Sequence, residues 1–162
     1  MKKITLLFSL LFVLAFASNM QAQSYDKAIG LRLGYPIAAS FKFFISEPGA
    51  IEIYAGYRSY SFGYNDFRLG AMYQYHKPIS GAYGLSWYFG GGASVLFFNY
   101  DFDTDDSDLG IAINGVLGLD YAFADAPINL SLDWVPTFLL TGYGNGFGAD
   151  YGALSARYIL GQ

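Results

Sequence analysis

The residues able to do chemistry in this chain are few. There is one histidine, His76, and no cysteine, and thirteen Asp and Glu stand against nine Lys and Arg. Without cysteine there are no thiol nucleophiles, iron–sulfur clusters, cysteine-based zinc sites or disulfide frameworks. The carboxylates that a common face would bring together are Glu52 with Asp120 or Asp133, the residue types an acid/base pair requires. The stretch Asp101–Asp108 (DFDTDDSD) sets Asp101, Asp103 and Asp105 at the first three spacings of a calcium loop. However, Asp106 stands where that loop needs glycine, and Ala112 where it needs a bidentate Glu. A solvated loop that loosely attracts divalent ions is expected there, not an ordered calcium site. Gly142–Gly148 (GYGNGFG) has spaced glycines but no following helix, so it lacks the strand–turn–helix setting that cradles a phosphate. Asn129-Leu130-Ser131 matches a glycosylation sequon inside an expected strand, where it has no such use. No Gly-x-Ser-x-Gly, histidine pair or P-loop occurs. The expectation is no catalytic, cofactor-binding or metal residues, no cofactor, and no enzyme.

The elements that position these side chains begin with an export segment. Lys2 and Lys3 precede Ile4–Ala17 (ITLLFSLLFVLAFA), and the more polar Ser18–Ala22 follows. This is the charged start, apolar centre and small-residue end of a signal peptide, too short for a spanning helix of about 20 apolar residues. Residues 1–22 are read as that signal and 23–162 as one domain. Cleavage after Ala17 is the alternative.

After it the chain alternates with a period of two, the mark of strands. Ile29, Leu31, Leu33 and Tyr35 oppose Gly30, Arg32 and Gly34; Phe41, Phe43 and Ile45 oppose Ser40, Lys42 and Phe44. The same pattern continues over Ala50–Arg58, Phe67–His76, Leu85–Val95, Gly110–Phe123, Ile128–Val135 and Ala153–Leu160, which makes eight strands. Compact links at Ser46–Gly49, Lys77–Gly84 and Ala124–Pro127 alternate with longer ones at Ser59–Asp66, Leu96–Asp108 and Phe138–Gly148; the Pro36–Ala38 link is tight. Alternating short and long connections predict an all-β fold, an antiparallel up-and-down barrel of eight strands.

Which face is outside decides the class. On the apolar face of the eight segments no residue is charged, whereas the other carries Arg32, Lys42, Glu52, Arg58, Arg68, Asp120, Asp133 and Arg157 among Gly, Ala and Ser. Only 14% of the chain is charged while 54% is hydrophobic and 20% aromatic. Soluble domains carry about 25% charge, so little material is left for a water-facing exterior. The apolar face is therefore placed outward, towards lipid, with Tyr35, Tyr57 and Phe67 at its long-loop border and Tyr75, Trp87, Tyr121, Phe123 and Tyr158 at the other. Closure follows, because an open strand edge has no water to bind within hydrocarbon. The five cations and three anions inside are expected to pair as a plug, with Lys42 bound to Glu52 across the Ser46–Gly49 turn and Asp120 opposite Ser131. His76 falls on the inner face near the short-turn end and is expected to hydrogen-bond its neighbours there.

This pattern resembles the small eight-stranded outer-membrane barrels of Gram-negative bacteria, the OmpA/OmpX-like group with its porin-like β-barrel domain. Pro127–Pro136 (PINLSLDWVP) and the closing LSARYIL resemble its last two strands. Such barrels commonly end on an aromatic residue, whereas this chain ends Tyr158-Ile159-Leu160-Gly161-Gln162. The resemblance implies a transmembrane barrel in the cell outer membrane, with membrane lipids and lipopolysaccharide around it. It also implies the barrel-assembly machinery as partner during insertion, and a structural or surface-interaction role through the loops. No nucleic-acid partner is expected at this charge balance. The alternative is a binding or transport barrel that admits a small hydrophobic ligand past Phe97, Phe98, Tyr100 and Phe102, through a lateral break at Pro136 or Gly90–Gly92. A lipid A-modifying enzyme is the third reading, weakened by the position of His76.

Overall fold

The computed structural model describes residues 25–60, 64–100, 108–141, 146–149 and 151–161. The export segment lies outside them, as do residues 101–107 of the acidic stretch and 142–145 of the glycine-rich one. Each described element is a strand: β1 (Lys27–Tyr35), β2 (Ile37–Ser46), β3 (Gly49–Tyr60), β4 (Tyr64–Pro78), β5 (Leu85–Tyr100), β6 (Asp108–Ala122), β7 (Ile128–Trp134), β8 (Thr137–Thr141), β9 (Gly146–Gly148) and β10 (Gly152–Gly161). Consecutive strands pair antiparallel from β1 to β6, β6 pairs with β7 and β8, β7 with β10 and β8 with β9, and β10 returns to β1. The sheet is thereby closed.

Ten strands make eight staves. β7 and β8 hold one register against β6, since Leu117 faces Trp134 and Asn114 faces Thr137. Between them Pro136 supplies a carbonyl, which accepts from the Gly115 N–H at 2.8 Å, but has no donor of its own. The expected end of the seventh strand at Val135 is thus corrected to Thr141: proline removes one rung without ending the stave. Gly115 opposite it leaves room for the ring, because a Cβ there would lie 3.2 Å from Pro136 Cγ. β9 and β10 form the eighth stave. Their pairings, Thr137 with Gly148 and Trp134 with Gly152, differ by one residue, as a bulge would produce.

Other strands also outrun the sequence reading. β2 starts at Ile37, so Pro36 alone separates it from β1. β5 continues to Tyr100, because Leu96 and Phe98 turn inward onto Ala112 and Leu139 and the run loses its polar alternation without losing its geometry. Phe97 and Phe98 therefore belong to a strand, not to a loop that could admit a ligand. Tyr100 ends the same strand, and Phe102 lies outside the described residues.

The two faces sort as their residue types require. Ile29, Leu31, Leu33, Leu69, Ile113, Leu117, Leu119, Leu132 and Leu154 are exposed on the outer wall. Aromatics flank them in contacting pairs, such as Trp87 with Phe89 at 5.4 Å and Tyr121 with Phe123 at 4.7 Å on the short-turn side, and Phe67 with Phe97 at 6.3 Å on the other. The longer strands add two outward charges, Lys27 and Lys77, both at the short-turn ends. Inside, large and small residues alternate to fill the bore. Gly70 lies under the ring of Tyr54, where a Cβ would come within 2.3 Å, and Gly118 under Tyr88, at 2.6 Å.

Candidate functional site

Side chains on alternate residues of a narrow barrel converge on its axis, so all eight staves contribute to the interior. Lys42 and Glu52 have no exposed surface, and Arg32, Arg68, Asp120, Asp133 and Arg157 are buried; Arg58 is half-buried. Each of the eight expected charges faces inward. A ninth, Asp66, joins them, although Ser59–Asp66 is expected to be a loop. It is buried on β4, with Oδ1 3.6 Å from Arg68 Nε.

The short-turn half is a continuous ion network. Arg32 bridges two walls, Nη1 to Glu52 Oε1 at 2.9 Å and Nη2 to Asp133 Oδ1 at 2.8 Å. Arg157 also binds Glu52 Oε1 through Nη2, and donates to Ser40 at 3.0 Å and Ser131 at 2.7 Å. Lys42 Nζ binds Asp120 Oδ1 at 2.7 Å. The expected Lys42–Glu52 ion pair is therefore corrected. The two residues are in register across β2 and β3, yet Lys42 is bound to Asp120 and Glu52 to Arg32 and Arg157. Asp120 does fall opposite Ser131 as read, but its bonds run to Lys42, to Asn129 at 2.8 Å and to Tyr25.

Neutral donors and acceptors complete the network. Tyr88 donates to Asp133 Oδ2 at 2.8 Å and Gln74 to Glu52 Oε2 at 2.6 Å. Gln74, Asn129 and Asn114 are buried as well, each on the charged parity of its strand. Three cations and three anions balance here with every carboxylate oxygen engaged. Such mutual engagement lets charges remain where an unpaired one would cost several kcal/mol, on the order of 3–5. Glu52 and Asp133 are joined through Arg32, and their oxygens receive donors from the protein itself. The arrangement ties staves together.

His76 lies on the inner face at the short-turn end, as read. Its ring stacks on Tyr88 at 4.8 Å and meets Phe44 at 5.0 Å, with Nδ1 3.3 Å from Ser86 Oγ and Nε2 3.3 Å from Gln74 Oε1. At the opposite end the guanidinium carbons of Arg58 and Arg68 each stand 4.7 Å from the centre of the Tyr151 ring, and Arg58 is 4.9 Å from that of Tyr35. Among the described residues no three His, Asp or Glu side chains converge as a metal site. The acidic residues 101–107 lie outside that statement.

The lateral break needed by a transport barrel has no counterpart in the described wall. Gly90–Gly92 pair in register with Gln74–Met72 on one side and Val116–Asn114 on the other, and the ladder also passes Pro136. Fold and interior together define a closed, up-and-down, eight-stave β-barrel with an apolar exterior and an ionic core. No family model, curated protein or solved structure matches the chain.

Proposed function

We propose that this protein is an integral outer-membrane barrel of the OmpA/OmpX-like kind, exported by residues 1–22. Its role is structural or surface-interacting through the long-loop end, without catalysis. One observation carries the reading: the polarity of the barrel is the inverse of a soluble one. A band of exposed Leu, Ile, Phe and Tyr encircles it while the ionised side chains are sealed inside. Soluble monomers rarely leave more than a few hundred Å2 of continuous apolar surface in water, whereas acyl chains cover such a band at no cost. The aromatic rows at both borders support the same reading, as does Lys77 Nζ lying 6.0 Å from the Trp87 ring at headgroup level. Membrane lipids and lipopolysaccharide are then its surroundings and the barrel-assembly machinery its partner at insertion.

The test is fractionation of cells expressing the full chain, followed by gel migration before and after boiling. The protein is expected in the outer-membrane fraction, with a fast-migrating form that shifts on heating. A mature chain that stays monodisperse in buffer without any surfactant overturns the reading.

A further inference from the structure

We propose that the short-turn mouth of the barrel binds a small, mainly apolar molecule carrying one hydrogen-bond donor. A cavity of about 370 Å3 opens there, above the ion network. That volume lies within the ~300–1,000 Å3 range of small-molecule sites. Its walls include Tyr25, Phe44, Glu47, Pro48 and Leu85, and its floor exposes Ser86 beside His76 and Asp120. This is an apolar chamber with a few converging polar groups, at the end opposite to Phe97 and Phe98.

The hydrogen-bond chain beneath the floor sets what those groups offer. Glu52 is ionised by its two guanidinium partners and can only accept, so the group 2.6 Å from it is the Gln74 amide nitrogen. The Gln74 carbonyl then faces His76 and must receive the Nε2 proton, which leaves Nδ1 as an acceptor for the Ser86 hydroxyl. Ser86 spends its one proton on His76 and presents lone pairs to the cavity. Asp120 is already engaged by Lys42, Asn129 and Tyr25. The floor therefore accepts and does not donate. A phenol or alcohol with an apolar body fits, whereas an ether or ketone of the same shape leaves Ser86 unanswered.

The test uses the intact mature barrel in detergent micelles, with 1-naphthol as probe and naphthalene and 1-methoxynaphthalene as controls lacking the donor, read by calorimetry. Saturable one-to-one binding of 1-naphthol is expected, about five- to tenfold tighter than either control, the worth of one hydrogen bond. Ser86→Ala removes that preference and leaves naphthalene unchanged. Ala122→Trp fills the chamber and abolishes saturable binding of all three, with heat-shifted migration verifying that both variants still form the barrel. Non-saturable uptake, or equal uptake by wild type and Ala122→Trp, overturns the site. Binding without preference for 1-naphthol overturns the assignment of its floor.

Discussion

The two halves of the barrel interior hold buried charge in different ways. In the short-turn half, Arg32, Lys42 and Arg157 meet Glu52, Asp120 and Asp133 directly, at 2.9 Å or less, with Tyr88, Gln74 and Asn129 completing the carboxylates. In the long-loop half, Arg58 and Arg68 rest on the face of Tyr151, beside a cluster of Tyr54, Met72 and Val135. The first solution depends on opposite charges reaching across the bore. The second adds a ring quadrupole to the longer Asp66–Arg68 contact of 3.6 Å, and is more tolerant of geometry. Near the short turns, five of the eight staves are thus joined through two residues, Arg32 and Glu52, and their partners.

Removing Glu52 should do the greatest damage, since it takes from Arg157 its carboxylate partner and leaves Arg32 with Asp133 alone. Glu52→Ala is expected to cost about 3–5 kcal/mol, read as a lower temperature for the heat-induced gel shift or a lower urea midpoint in vesicles. Equal stability of this variant and wild type would remove the distinction between the halves. On the outer wall, Leu132→Arg places a charge in the middle of the Leu119–Leu132–Leu154 row. It should cost about 2–4 kcal/mol in a bilayer, and a variant folding as well as wild type in vesicles would contradict the lipid-facing assignment. Tyr151→Leu keeps an apolar body but loses the ring under both guanidiniums; a loss of about 1–2 kcal/mol is expected, smaller than that from Glu52. The weakest change is Ser155→Ala. Ser155 is fully buried and its hydroxyl has no hydrogen-bond partner among the described residues. Its removal should leave stability within about 1 kcal/mol or raise it. Planar-bilayer recordings, for their part, should show no large steady steps, because side chains fill the bore of an eight-strand barrel.

Much of this architecture was legible in the residues. Period two assigned every one of the eight charges to the inner face, because a one-residue slip would have put Arg32, Glu52 and Arg157 in the apolar band. The boundaries were less legible. Pro136 reads as a stop, yet one missing donor breaks a single rung of a ladder held on both sides. Val95–Phe98 reads as the end of alternation, although Leu96 and Phe98 had simply found an apolar patch of the interior. Asp66 continues the inward parity of Arg68, but the Ser, Gly, Tyr and Asn before it carry the composition of a loop.

Strand number, the direction of each side chain and even the facing of Lys42 by Glu52 were thus fixed by local alternation and turn chemistry, which require only neighbours along the chain and across one turn. The choice of ionic partners was not. Inward side chains in a closed tube point at the axis, so Lys42 reaches Asp120 from another wall and Arg32 reaches Asp133, which is distant in sequence. Only closure of the sheet set those distances, and with them the tautomer of His76 and the chamber above it.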